Sequence, residues 1–370
     1  MLWLFIIIVA LTLLLNKLTT KYGFKKLKYE RELSANIVEI GEGFQLSTIV
    51  ENGKPIPVTF LQITERFPDN FQYTFKSNAI NTGGYLHHTI TMFLLPYQRI
   101  KRTYVIKGKE RGVYKFRDVS LALGDFIGLD TKYKELDILQ ELVVLPKSLP
   151  LNEAIVPYGN YNGDISVKRW IIDDPLMTIG IREYTGSEPE KHIHWSSSLK
   201  YGKLMVKNFD FTTDNTVVFI LNVESSKPFW TSINSHEIEW SISICRGLME
   251  EMEREKIPYG FTTNSQVSSY YNGDNITLPG IGANQLSYLT EMLGRISYSL
   301  SVPFEELLEN LYKNNFVHTT YVIVTPRVFE SYIEPIENLN KKANKTIIIS
   351  TEDHNLEKLN GNIMKYVRRI

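Results

Sequence analysis

Between Leu27 and Pro150 no stretch of this 370-residue chain repeats its apolar residues at helical spacing, which confines that part to extended structure. Segments 44–50, 58–64, 71–75, 88–93, 101–106 and 113–121 are rich in β-branched and aromatic residues. Turn-forming runs separate them, among them Glu51-Asn52-Gly53-Lys54-Pro55, Pro68-Asp69-Asn70 and Asn81-Thr82-Gly83-Gly84. Short strands at this spacing predict a β-sandwich of immunoglobulin-like architecture over residues 27–150.

The pattern changes over residues 211–370. Val217 to Leu221 is a continuous apolar run, as expected of a strand buried on both faces of a parallel sheet. Ser235 then stands as cap before Ile238, Ile242, Cys245, Met249 and Met252, whose spacings of four and three predict an amphipathic helix. Leu286, Leu289, Leu293 and Ile296 repeat that spacing, as do Phe304, Leu307 and Leu311, and apolar segments 321–324 and 346–349 return as strands. Such alternation predicts an open α/β sheet whose ligands bind beyond the strand carboxyl ends. Residues 151–210 read as a linker between the two parts.

Residues 1–15, MLWLFIIIVALTLLL, carry no charge. As a helix they cover roughly 22 Å, short of a ~30 Å hydrocarbon core unless Asn16, Lys17 and Leu18 extend the run. A single-pass anchor over 1–18 is the expectation. Lys17, Lys21, Lys25, Lys26, Lys28 and Arg31 follow the run and no basic side chain precedes it, so the positive-inside bias places the remainder in the cytoplasm. A cleaved signal peptide would need a basic n-region and a small-x-small site, and both are missing. The charge balance of 41 basic to 41 acidic residues argues against a nucleic-acid partner. Cys245 is the sole cysteine, which excludes an internal disulfide and any multi-cysteine metal cluster.

Three groups of residues invite chemistry. Arg182-Glu183-Tyr184, His194-Trp195, Lys200 and Gly202 mix a guanidinium fork, large amphipathic rings and turn formers, a mixture suited to a clamp between domains or to an active site. As a clamp, Trp195→Ala should cost roughly 3–5 kcal/mol. His192 and His194 alternate and would share one face of a strand, where they and Glu183 could serve a metal-dependent hydrolase. Asn222-Val223-Glu224-Ser225-Ser226 follows the first α/β strand, and Asn222, Glu224 and Ser226 offer oxygens to a hard cation such as Mg²⁺, though with too few carboxylates for a strong site. No Gly-rich phosphate loop or G-x-S-x-G motif accompanies them.

With those residues in view the chain resembles the bacterial family catalogued as domain of unknown function fifty-eight. The likeness rests on Gly112-Val113-Tyr114, the segment 124–129 (GDFIGL), Arg182-Glu183-Tyr184, Ile193-His194-Trp195, Lys200 and Gly202 to Lys207, and extends from about residue 27 to the C-terminus. The resemblance implies membrane segments, a β-rich domain and a domain similar to von Willebrand factor type A. It further implies partnership with MoxR-type AAA+ ATPases in the maturation of protein complexes, and no catalytic activity. The type A metal motif, Asp-x-Ser-x-Ser, meets Asn222, Glu224 and Ser226 here, so the charge that holds the ion is lost at its first position.

The expectation is therefore a membrane-anchored scaffold or adaptor without cofactor or catalytic residue. It comprises a β-sandwich and a type A-like α/β domain, with 222–226 as its interaction loop. A metal-dependent hydrolase and an externally tethered adhesion module are the alternatives.

Overall fold

A computed structural model of the chain describes residues 3, 6, 7, 12, 16, 17, 19, 21–74, 79–124, 131–158, 178–186, 190, 193–209, 216–268, 276–314 and 319–369. The chain divides into two compact units, Met1–Lys147 with Thr290–Ile296, and Ser148–Leu289 with Ser297–Ile370.

The first unit is built of strands β1 (Leu27–Leu33), β2 (Ile37–Glu39), β3 (Gly43–Asn52), β4 (Val58–Pro68), β5 (Phe71–Tyr73), β6 (Ala79–Thr82), β7 (Tyr85–Leu94), β8 (Arg99–Gly108), β9 (Gly112–Gly124), β10 (Thr131–Leu136) and β11 (Gln140–Leu145). They form a four-stranded sheet, β1-β3-β8-β5, and a larger sheet, β2-β11-β9-β4-β7-β6, with β10 on β9. Alternating residues turn inward from both sheets, as Phe44 and Leu46 do on β3 of the smaller sheet and Leu61 and Ile63 on β4 of the larger. This is the period of two that a strand with one buried face requires.

A polar centre interrupts that core. The Glu65 side chain on β4 is fully buried. Its Oε1 accepts from the Tyr29 hydroxyl and from Thr48 Oγ1 at 2.9 Å, while His88 Nδ1 lies 3.9 Å from Oε2. Burial, reinforced by the Glu65 charge, pushes the Tyr29 phenol far above its ordinary range, so it remains a donor. The segment Thr290–Ile296 belongs to this unit through Arg111, whose Nη1 donates to the carbonyls of Leu293 (3.0 Å), Gly294 (3.2 Å) and Ile296 (2.6 Å).

The second unit centres on a mixed sheet. Its strands are β12 (Ile155–Pro157), β15 (Thr216–Leu221), β16 (Tyr259–Thr263), β18 (Ile276–Gly280), β20 (Thr319–Thr325), β21 (Lys345–Ser350) and β22 (Met364–Arg368), ordered β12-β22-β21-β20-β15-β16-β18. Strands β13 (Thr178–Glu183) and β14 (Met205–Phe209) pair separately, as do β17 (Ser265–Val267) and β19 (Ile296–Leu300). Helices α1 (Trp195–Tyr201), α2 (Ser235–Glu255), α4 (Phe304–Lys313) and α5 (Glu330–Lys342) accompany them, and α3 (Ala283–Arg295) does so as far as Leu289. Strands β15, β16, β20, β21 and β22 run parallel, and β15, β20 and β21 are buried almost throughout. The cap of α2 is Asn234 rather than Ser235, its side chain accepting from Glu237 N.

The expected fold class needs correction on two points. No helix among the described residues is long and apolar enough to cross a membrane. The anchor expected over residues 1–18 lies mostly outside the described residues; only 3, 6, 7, 12, 16 and 17 of them are described. The helical type A-like domain is also withdrawn. Strand accounts for 45% of the described structure and helix for 28%. The alternation that suggested such a domain is incomplete: β12 and β18 pair antiparallel at the two margins, and a 3₁₀ turn, Leu356–Lys358, rather than an α-helix lies between β21 and β22. Helical spacing in the sequence located individual helices but overstated their share.

The buried carboxylate generates a prediction. Glu65→Ala would orphan two hydroxyl donors and should cost about 2–4 kcal/mol. Glu65→Gln, which keeps a carbonyl acceptor, should cost less. Urea unfolding of the two variants beside the parent chain checks the order.

Candidate functional site

Strand order reverses at β15, which has β20 on one side and β16 on the other. Loops leaving a parallel sheet at such a point flank a natural crevice. The loop here begins at Asn222, which is fully buried. Its Nδ2 donates to Thr325 Oγ1 at 3.0 Å, and its Oδ1 accepts from Glu224 N at 2.9 Å and from Asn264 Nδ2 at 2.8 Å. Asn264 Oδ1 in turn accepts from Val223 N at 3.0 Å. Thr325 spends its single proton on the Arg327 carbonyl at 2.8 Å, so it can only accept from residue 222. The position therefore demands a side chain that donates and accepts, which an amide does and a carboxylate does not.

Glu224 is 5% exposed and accepts through Oε2 from the Tyr332 hydroxyl at 2.7 Å. Burial and the Glu224 charge push that phenol well above its ordinary value. Lys227 lies 4.6 Å from the Tyr332 ring centroid and pairs with Glu305 and, at 2.9 Å, Ser331 Oγ. Burial by itself would raise the Glu305 carboxyl, but hydrogen bonds from Lys227 and Ser331 hold it below its usual range. On the adjoining side Arg327 Nη2 meets Glu352 at 2.9 Å and Glu237 at 3.3 Å. Burial raises the Glu237 carboxyl, Arg327 lowering and Glu352 raising it further.

Ser226 Oγ donates within its own loop, to Ser232 O at 2.6 Å, and Ser225 Oγ accepts from Asn234 N at 3.0 Å. These bonds close a short turn carrying the 3₁₀ segment Phe229–Thr231. Trp230 is 73% exposed there, its ring set edge-on to Phe229 with centroids 5.5 Å apart, and Ile233 is 51% exposed. Sequence inspection passed over this aromatic loop, although Pro228-Phe229-Trp230 after a strand-end polar run was the visible signal. Asn222, Glu224 and Ser226 thus share one loop but aim at three different sets of partners. No group of three His, Cys, Asp or Glu able to hold a metal occurs among the described residues.

The other predicted residues lie on the β13–β14 hairpin and α1. His194 caps α1, its Nδ1 accepting from Ser197 N at 3.2 Å, and Gly202 ends the helix at φ 65°, where a side chain would be strained. Glu183 pairs with Lys203 at 2.8 Å, Arg182 and Lys200 are exposed, Tyr184 is half-buried, and Trp195 is 63% exposed. At that exposure Trp195→Ala opens no core cavity, and the loss expected from a clamp is withdrawn. His192 and residues 125–129 lie outside the described residues.

No family model matches the chain, and no curated protein matches it. Among solved structures, it is similar to the CARDB domain of a Pyrococcus furiosus protein in complex with di-metal ions (14% identity, TM-score 0.21, 32% of this chain and 91% of that one). It is similar also to a cohesin module from a Clostridium perfringens family 33 glycoside hydrolase (9%, 0.22, 32% and 96%). A non-cellulosomal cohesin from Archaeoglobus fulgidus gives 10%, 0.22, 32% and 91%.

Two predictions follow from this geometry. Asn222→Asp places an unpaired charge against an acceptor and should cost about 2–4 kcal/mol, read as a lowered denaturation midpoint. Because the Glu305 carboxyl is lower in the folded than in the unfolded chain, its contribution is complete above the unfolded value of ~4.3 and lost as pH falls through the folded one. Glu305→Gln should flatten that acid limb in a pH series of thermal melts.

Proposed function

We propose that this protein is a non-catalytic scaffold that binds a protein partner through the loop from Ser226 to Asn234. The observation that carries the reading is Trp230, a large ring 73% exposed on a loop whose polar groups are bonded internally. A pre-ordered aromatic surrounded by satisfied polar groups loses little entropy on docking and is the usual composition of an interface hot spot. The carboxylate and amide at the strand end, Glu224 and Asn222, are engaged with Tyr332, Thr325 and Asn264. The resemblance to the domain-of-unknown-function family fifty-eight supplies the partner class, a MoxR-type AAA+ ATPase. Because the loop is held by protein groups, binding should need no divalent metal.

The test is a pull-down of a MoxR-type ATPase on the full chain, with and without EDTA. Retention in chelator is expected, and Trp230→Ala should weaken binding by about 30-fold or more, the effect of removing some 2 kcal/mol at a hot spot. Binding that requires Mg²⁺, or that ignores Trp230→Ala, would overturn the reading.

A further inference from the structure

One end of the sandwich gathers the start of β1, the end of β3, the start of β4, the end of β7 and the start of β8. Hydrogen bonds knit these ends together. Asn52 N donates to the Gln98 carbonyl at 2.9 Å, and its Nδ2 to those of Leu95 (2.9 Å) and Ile56 (3.0 Å). Gly53 N donates to Lys26 O at 2.9 Å, Tyr97 N to Lys54 O at 3.3 Å, and the buried Lys54 Nζ to Gly23 O at 2.7 Å. Residues 22–28, 52–57 and 93–98 therefore form a single rim.

Two properties coincide on it. Phe93, Leu95 and Tyr97 are 64%, 54% and 70% exposed, a concentration of large apolar side chains that a water-facing loop does not need. Residues 22–28 contain Lys25, Lys26 and Lys28 and no acidic residue, and all three lysines are exposed; Lys17 and Lys21, also exposed, precede them in the chain. Arg99 adds a further exposed charge, against the half-buried Glu51. Aromatic and aliphatic bodies fringed by long-stemmed cations match the boundary between acyl chains and headgroups: the rings take the apolar layer, and the lysines reach the phosphates. An acidic protein surface would satisfy the lysines and leave the three apolar side chains without a counterpart. The uncharged sequence of residues 1–15, directly before the lysines, is compatible with the same layer.

We infer that this rim docks on the headgroup region of an anionic lipid bilayer, with Phe93, Leu95 and Tyr97 entering the interface and the lysines neutralising lipid charge. The contact is peripheral and requires no segment that crosses. Lipid docking at this rim does not depend on the loop around Trp230.

The single cysteine makes a local test practical. Cys245 is fully buried, so Leu95→Cys offers one accessible thiol for an environment-sensitive dye on the full chain. Lys109→Cys, on the exposed turn between β8 and β9 at the opposite end, is the reference position. With vesicles of equimolar phosphatidylglycerol and phosphatidylcholine, dye at position 95 should shift to the blue and brighten, and dye at 109 should not. Pure phosphatidylcholine should give little response. Lys25→Glu with Lys26→Glu should lower the partition constant by about tenfold or more. Salt near 1 M, where the screening length is about 3 Å, should do likewise. A silent position 95 on vesicles would overturn the inference, whether or not the protein floats with them. So would an equal response on pure phosphatidylcholine, an equal response at 109, or a response only to an acidic soluble protein.

Discussion

The amide of Asn222 ties together the carboxyl ends of three neighbouring parallel strands. One side chain reaches Thr325 at the end of β20, meets the Asn264 amide just past β16, and caps the backbone of its own loop at Glu224. Parallel strands hold one another through their middles but diverge at their ends, where backbone groups would otherwise turn to water. Here a side chain replaces that water. Glu224 can point at Tyr332, and the Ser226–Asn234 turn can hold Trp230 outward, because the loop leaves the sheet in one fixed direction.

The first unit uses a comparable device inside its core. Glu65 divides the apolar interior, drawing Tyr29 and Thr48 from the smaller sheet toward β4 of the larger. A wholly apolar interior would be indifferent to small slides of one sheet over the other. A carboxylate that must meet two hydroxyls is not, so polar pairing sets a register that packing alone leaves loose.

What could be read in the sequence was whatever depends on neighbours along the chain. The strand segments of the sandwich and the apolar runs 217–221, 321–324 and 346–349 show themselves by local composition, as does the amphipathic helix carrying Cys245. Features set by tertiary partners were not readable. Asn222 looked like a metal ligand with its charge missing, because Thr325 and Asn264 stand 103 and 42 residues away. His194 looked like half of a metal pair, whereas its capping bond to Ser197 depends on where a short helix begins. Trp195 looked like a clamp because large aromatic rings are usually buried, and its exposure is a property of the fold that periodicity does not report.

The return of Thr290–Ile296 to the first unit sets the order of events on the ribosome. All eleven sandwich strands have been made by residue 145, yet the segment that receives the Arg111 guanidinium arrives roughly 150 residues later. At ~5–20 residues per second the interval is on the order of ten to thirty seconds. Throughout it Arg111 must remain hydrated and that edge of the nascent domain unfinished, so completion of the N-terminal unit waits on synthesis of most of the C-terminal one.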